Sequence, residues 1–133
     1  VSDAATEPDL RELHEAGVRG VRFNLSFLVA ITPAMMVPVA KRIAPLGWHL
    51  QVNGTHDKLL PLADTFEALP CPVVFDPLRQ PPQPDGIKHP VFAMCAKLLA
   101  KEKAWIKLSV IDPDWSTTMM MFQALFFFWR CLK

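Results

Sequence analysis

The chain has 133 residues, with 14 Lys and Arg against 13 Asp and Glu, a formal net charge of +1. Acids and bases are interspersed, which gives no electrostatic footprint for nucleic acid and no basic face for an anionic membrane. The length suits one domain with its own core but falls well short of the roughly 250 residues of a closed eight-stranded α/β barrel.

The first twenty residues are mostly polar with a helical pattern, so no signal peptide is expected; the sequence begins with Val1 rather than Met, which leaves room for residues upstream. Thr6 is placed to cap a first helix, with Pro8 in its first turn and Asp9 three residues after the cap, close to a capping box. Leu10 and Leu13 give that helix an apolar stripe, and Gly17 suits the position just past its end. A strand follows at residues 18–24, in which Val21 and Phe23 point one way and Gly20, Arg22 and Asn24 the other.

Thr32-Pro33 looks like the start of a second helix, yet Pro38 would break a helix running on from there. Either Pro38 occupies the first turn of a shorter helix ending near Ala44, or the segment is kinked. Gly47 returns the chain to a second strand at 48–53, where Trp48, Leu50 and Val52 alternate with His49, Gln51 and Asn53. Asp57 can cap a third helix whose stripe is Leu59, Leu62, Ala63, Phe66 and Leu69. The third strand, 73–76, is apolar until Asp76. A proline-rich connection from Pro77 to Lys88 is long enough to suggest a functional loop. His89-Pro90 opens a fourth helix with Val91, Phe92, Cys95, Leu98 and Leu99 facing inward, and a fourth strand covers 105–109.

Four strands alternating with helical patterns predict βαβ units and an α/β fold with a parallel sheet, in sequence order, helices on the outer face. Residues 1–116 form the barrel-like domain in this reading. Residues 117–133 form a divergent apolar tail in which the run from Met119 to Trp129 is too short for a bilayer span of about 20 residues. A buried terminal helix and an interface segment both remain open for it. Cys71, Cys95 and Cys131 are odd in number and lack C-x-x-C spacing, which fits buried reduced thiols in a cytoplasmic protein.

If the apolar strand faces meet the helices, the opposite faces bring Arg22, Asn24, His49, Gln51, Asn53, Lys107 and Ser109 to one side. A buried polar lining without partners is costly. It is therefore either a structural network in which Asp76 holds an Arg and a Lys, or an anion site with Arg22 as a fork for a substrate carboxylate. In parallel α/β sheets chemistry sits at the carboxyl ends of strands, where Arg22, Asn24, Asn53 and Asp76 are expected to converge. The four histidines, His14, His49, His56 and His89, have no metal-ligand spacing, and no P-loop, G-x-G-x-x-G or G-x-S-x-G occurs.

Four segments together carry a resemblance: Ala16 to Asn24 (AGVRGVRFN), Leu46 to Leu50 (LGWHL), Leu69 to Asp76 (LPCPVVFD) and Trp105 to Ser109 (WIKLS). They resemble, in order and spacing, the amidohydrolase-related family, and within it the 2-pyrone-4,6-dicarboxylate lactonase-like hydrolases. The resemblance spans about Leu10 to Ser109 and implies the fourth to seventh strands of a TIM-type (β/α) barrel. It implies hydrolysis of a lactone or related ester bond in a carboxylate-bearing small molecule, with Arg22 on the substrate carboxylate. Asp76, Lys107 and Ser109 match recurrent strand-end positions; Asp76 is taken as catalytic, and Arg22, Asn24, Asn53, Lys107 and Ser109 as substrate-binding. The family pattern differs in three places. Pro77 stands where relatives follow the aspartate with His, Arg79 is one place early, and Asn53 replaces a tyrosine. The H-x-H of the family's first strand and the aspartate of its eighth are not in this sequence. No cofactor is expected; some relatives hold a divalent metal, for which the ligands are missing here.

Two outcomes follow. One is a hydrolase represented by a truncated half-barrel that does not turn over substrate by itself; the other is a non-catalytic remnant acting as a binding or interaction module. Expected partners are a small carboxylate substrate and, through edge strands and the apolar tail, further copies of the chain.

Overall fold

The computed structural model describes residues 5–25, 33–76 and 88–107. Four strands form one sheet: β1 (Gly20–Asn24), β2 (His49–Asn53), β3 (Val73–Phe75) and β4 (Ala104–Ile106). Their order is β1-β2-β3-β4, and every adjacent pair is parallel. Parallel neighbours force the chain back along the sheet between strands, and helical segments make that return. The expected strand set, order and direction are all present.

The register explains the layering. Val21, Leu50, Val73 and Ala104 lie on one rung and Phe23, Val52, Phe75 and Ile106 on another. All of these are buried except Ile106, which packs against the same core. The rung between them is Arg22, Gln51, Val74 and Trp105, and it faces the other way, with Trp105 67% exposed. Helices therefore cover one face, and the polar lining is on the opposite one.

Helix α1 (Glu7–Glu15) has the capping box: the Asp9 N–H donates to Thr6 Oγ1 at 3.4 Å, and the Thr6 N–H donates to Asp9 Oδ2 at 2.6 Å. Gly17 follows at φ +96°, a left-handed backbone that favours glycine. Helix α2 (Met36–Ile43) holds Pro38 in its first turn, where a missing N–H costs no intrahelical bond, and a 3₁₀ turn, Pro33–Met35, precedes it. Of the two alternatives for Pro38, the shorter helix is the one formed.

The third helix departs from expectation. Its N-cap is Thr55, with Asp57 inside the first turn, and it breaks into α3 (His56–Leu59), a 3₁₀ turn Leu60–Leu62, and α4 (Ala63–Ala68). Pro61 lacks the N–H that a continuous helix would donate to Asp57. Helix α5 (Pro90–Ala100) starts as expected, with His89 Nδ1 accepting the Val91 N–H at 3.2 Å. Its buried positions are Val91, Met94, Cys95, Ala96 and Leu98, while Phe92 and Leu99 are only half-buried. The connection 77–87 and the apolar tail lie outside the described residues.

The core centres on Trp48, Phe66 and Phe75, the last two edge-to-face at 5.3 Å. Helix α1 joins it through Leu10, through Arg42, which pairs with Glu7 at 3.1 Å and donates to the Ala5 carbonyl, and through Trp48. The buried Trp48 indole Nε1–H donates to His14 Nδ1 at 2.8 Å, the two rings stacked within 10° of parallel. Replacing His14 by Leu leaves that N–H buried and unpaired, at an expected cost of about 1–3 kcal/mol. Replacing Trp48 by Phe in the same molecule removes the orphan, so the pair should be less destabilised than the two single losses added together. Urea unfolding of the three variants checks this; strict additivity would mean the bond carries no coupling.

Candidate functional site

The carboxyl ends of the strands collect polar groups because each strand changes character at its last residues. Asn24 and Asn53 end β1 and β2 opposite each other in register. Asp76 and Lys107 are the first residues beyond β3 and β4, yet both stay on the ladder. The Asp76 N–H donates to the Val52 carbonyl and the Lys107 N–H to the Phe75 carbonyl, each at 2.9 Å. Strand alternation then turns Arg22 and Gln51 to the face opposite the described helices.

Asp76 is the centre of the cluster. Its side chain is 4% exposed, and Asp76 is the buried charged residue of the described chain. Arg22 Nη1 reaches its Oδ2 at 2.5 Å, the Gln51 amide donates to the same oxygen, and Lys107 Nζ lies 3.2 Å from Oδ1. Burial alone would raise the Asp76 pKa; the Lys107 hydrogen bond and charge, with those of Arg22, outweigh it and hold the carboxyl below its usual range. The two cations keep much of their surface, 46% for Arg22 and 51% for Lys107. Among the described residues, a buried carboxylate thus faces two half-open cations, which leaves one positive charge over.

Of the residues expected to form a site, Arg22, Asp76 and Lys107 are in direct contact, and Asn24 and Asn53 stand at the same end of the sheet. Ser109 lies outside the described residues, as does Arg79. The network that holds Arg22 and Lys107 on Asp76 is formed. Gln51 joins it, although only its place on the polar face marked it in the sequence; the signal was its register with Arg22. Among the described residues Asn53 Oδ1 is buried with no hydrogen-bond partner, an acceptor left open beside the cluster.

The histidines do other work. His49 lies over Gly20, where a Cβ would come within 2.6 Å of its Nε2, so glycine gives the ring its place. His14 accepts from Trp48 and His89 from Val91, while the His56 and His89 rings stand 5.3 Å apart. Among the described residues no three His, Cys, Asp or Glu side chains gather so as to hold a metal ion. The described donor set therefore does not fit a divalent metal ion. Desolvation raises the Cys71 thiol and pushes Cys95 up to about 12, which removes both as nucleophiles near neutral pH. Among the described residues no helix is long and apolar enough to cross a membrane.

Comparison with known proteins places this geometry. The amidohydrolase family model matches residues 2–132. A 2-pyrone-4,6-dicarboxylate hydrolase of Comamonas testosteroni is 38% identical over 112 residues, which is 82% of this chain and 37% of that protein. Two solved structures share the fold. One, described as a 2-pyrone-4,6-dicarboxylic acid hydrolase of Pseudomonas putida, has a TM-score of 0.72 at 24% identity over 96% of this chain and 49% of its own. The other, described as the same kind of hydrolase from Acinetobacter baumannii with citric acid bound, has a TM-score of 0.70 at 23% identity, over 98% and 50%. The chain therefore spans half or less of the length of these relatives, and its sheet corresponds to part of an amidohydrolase (β/α) barrel.

Because the folded Asp76 carboxyl titrates below its unfolded value, its contribution to stability is complete above the ordinary carboxyl range near pH 4 and is lost as pH falls through the lower folded value. Unfolding midpoints measured from pH 7 downward should fall more steeply below about pH 4 in the parent chain than in Asp76→Asn. Equal slopes would mean that Asp76 is not held as an anion. Cys71 and Cys95 are expected to resist iodoacetamide until the chain is unfolded, as mass spectrometry of the labelled protein would record.

Proposed function

This chain belongs to the amidohydrolase family, and we propose that it carries the carboxylate-binding half of a site that hydrolyses a lactone or related ester bond. The observation that supports this most is the pairing of Arg22 and Lys107 on one buried carboxylate, with roughly half of each cation still open. A guanidinium already fixed at one nitrogen loses little further freedom when its other N–H groups take a carboxylate. The named activity of the Comamonas relative, and citric acid in the Acinetobacter structure, support a ligand rich in carboxylates.

In this reading the substrate's carboxylate meets Arg22 and Lys107, and Asn53 Oδ1 accepts a hydrogen bond from a hydroxyl or from the attacking water. Hydrolysis adds water across the acyl carbon–oxygen bond of the ring, giving a carboxylate and a released hydroxyl. These residues fix the ring relative to that water, a contribution of orientation rather than of proton transfer. The group that takes water's proton is not among the residues assigned here.

Calorimetric titration with 2-pyrone-4,6-dicarboxylate tests the reading. Binding is expected, and Arg22→Ala should weaken it about ten- to a hundredfold, the range of a lost charge-assisted hydrogen bond. A chain that binds no carboxylate, or an Arg22→Ala variant that binds as the parent does, would defeat the proposal.

A further inference from the structure

Asp76 has the position of a catalytic carboxylate but not the surroundings of one. A general base needs an oxygen that can approach the proton it takes and a place for that proton afterwards. Here Oδ2 accepts from Arg22 and Gln51, and Oδ1 faces the Lys107 ammonium. The side chain is buried, so an incoming water would have to displace one of these donors to reach it. Its donors come from β1, from β2 and from the residue after β4, while Asp76 itself follows β3. One carboxylate thus ties all four strands together, at the middle of β1 and β2 and just past the ends of β3 and β4.

We propose that Asp76 is a positioning residue: it takes no proton in the reaction and acts through Arg22 and Lys107, holding both cations on the open side of the sheet so that they meet one ligand carboxylate together. Gln51 is the brace of that arrangement. Its amide reaches Asp76 from the strand between Asp76 and Arg22, in register with Arg22. Asp76 also sets the charge among the described residues of this face, where two cations stand against one fixed anion. The proposal rests on the carboxylate-site reading above and adds to it the division of labour within the site.

The experiment is calorimetric titration of the chain with citrate, which has no lactone to hydrolyse. Asp76→Asn keeps the shape but offers one acceptor oxygen where two were used, and should weaken citrate binding about tenfold although it removes a negative charge. In an Arg22→Gln/Lys107→Gln background the same substitution should change binding less than about twofold, because the groups it acts through are gone. Gln51→Met leaves the charge of the site unchanged and serves if Asp76→Asn folds poorly; it should weaken binding by a few-fold. Tighter binding by Asp76→Asn, or an undiminished effect in the double-variant background, would overturn the proposal. Wherever turnover of 2-pyrone-4,6-dicarboxylate is measurable, Asp76→Asn should raise KM and preserve the acid limb of the pH–rate profile. Loss of that limb would make Asp76 the base. A parent chain that binds neither citrate nor the pyrone defeats the carboxylate-site reading itself, which separates the two failures.

Discussion

A single buried carboxylate connects the sheet to its chemistry. Asp76 follows the short third strand, and its backbone N–H still donates to the second strand, so its side chain is delivered at a fixed height to the face opposite the described helices. Burying an anion there is costly unless it is paired and hydrogen-bonded. Arg22, Gln51 and Lys107 meet that requirement from neighbouring strands. The same contacts that make the carboxylate tolerable also aim the two cations. Structural network and anion site, which look like competing accounts of a polar lining, are one set of bonds in the proposed reading.

This arrangement depends on how differently the two faces of the sheet are built. One face is closed by helices over Leu50, Val52, Val73 and Phe75 and leaves almost no apolar surface exposed. The other carries the rung of Arg22, Gln51, Val74 and Trp105, with the Trp105 ring two-thirds exposed. The first face holds the core and the second carries the proposed ligand site, so a core substitution and a rung substitution should show up in different measurements. Helix α1 belongs to the rigid side. Its attachment uses an apolar anchor at Leu10, an ion pair from Arg42 and the Trp48–His14 hydrogen bond, which together fix the approach to β1 and hence the height of Arg22.

Much of this was legible in the residues, and the exceptions have physical causes. Period-two alternation in 20–24 and 49–53 gave both the strands and the face that Arg22 takes, because a strand buried on one side shows its pattern directly. The third helix was read as continuous because its apolar spacing is helical throughout; Pro61 splits it, a backbone effect that a side-chain pattern does not register. Gln51 was visible as a lining residue but not as a partner of Asp76, since the contact depends on how two parallel strands are staggered. Trp105 is exposed because the register gives it the same face as Arg22 and Gln51. Strand-end chemistry at Ser109 and the altered turn after Asp76 fall outside the described residues.

The departures from the family pattern carry different weight once the geometry is in place. The resemblance implies an imidazole after Asp76 where this chain has a proline, but every contact of Asp76 described above comes from residues other than 77. Asparagine at position 53 is a larger change. A tyrosine would bring a hydroxyl that both donates and accepts, on a long rigid arm; Asn53 is short, and its Oδ1 ends buried with no donor to satisfy it. An unpaired buried acceptor costs about 1–3 kcal/mol, a cost that a bound hydroxyl or water at that oxygen would remove. The departure at residue 53 thus leaves a buried acceptor beside the Asp76 cluster, where the hydroxyl or water of the proposed reading would meet it.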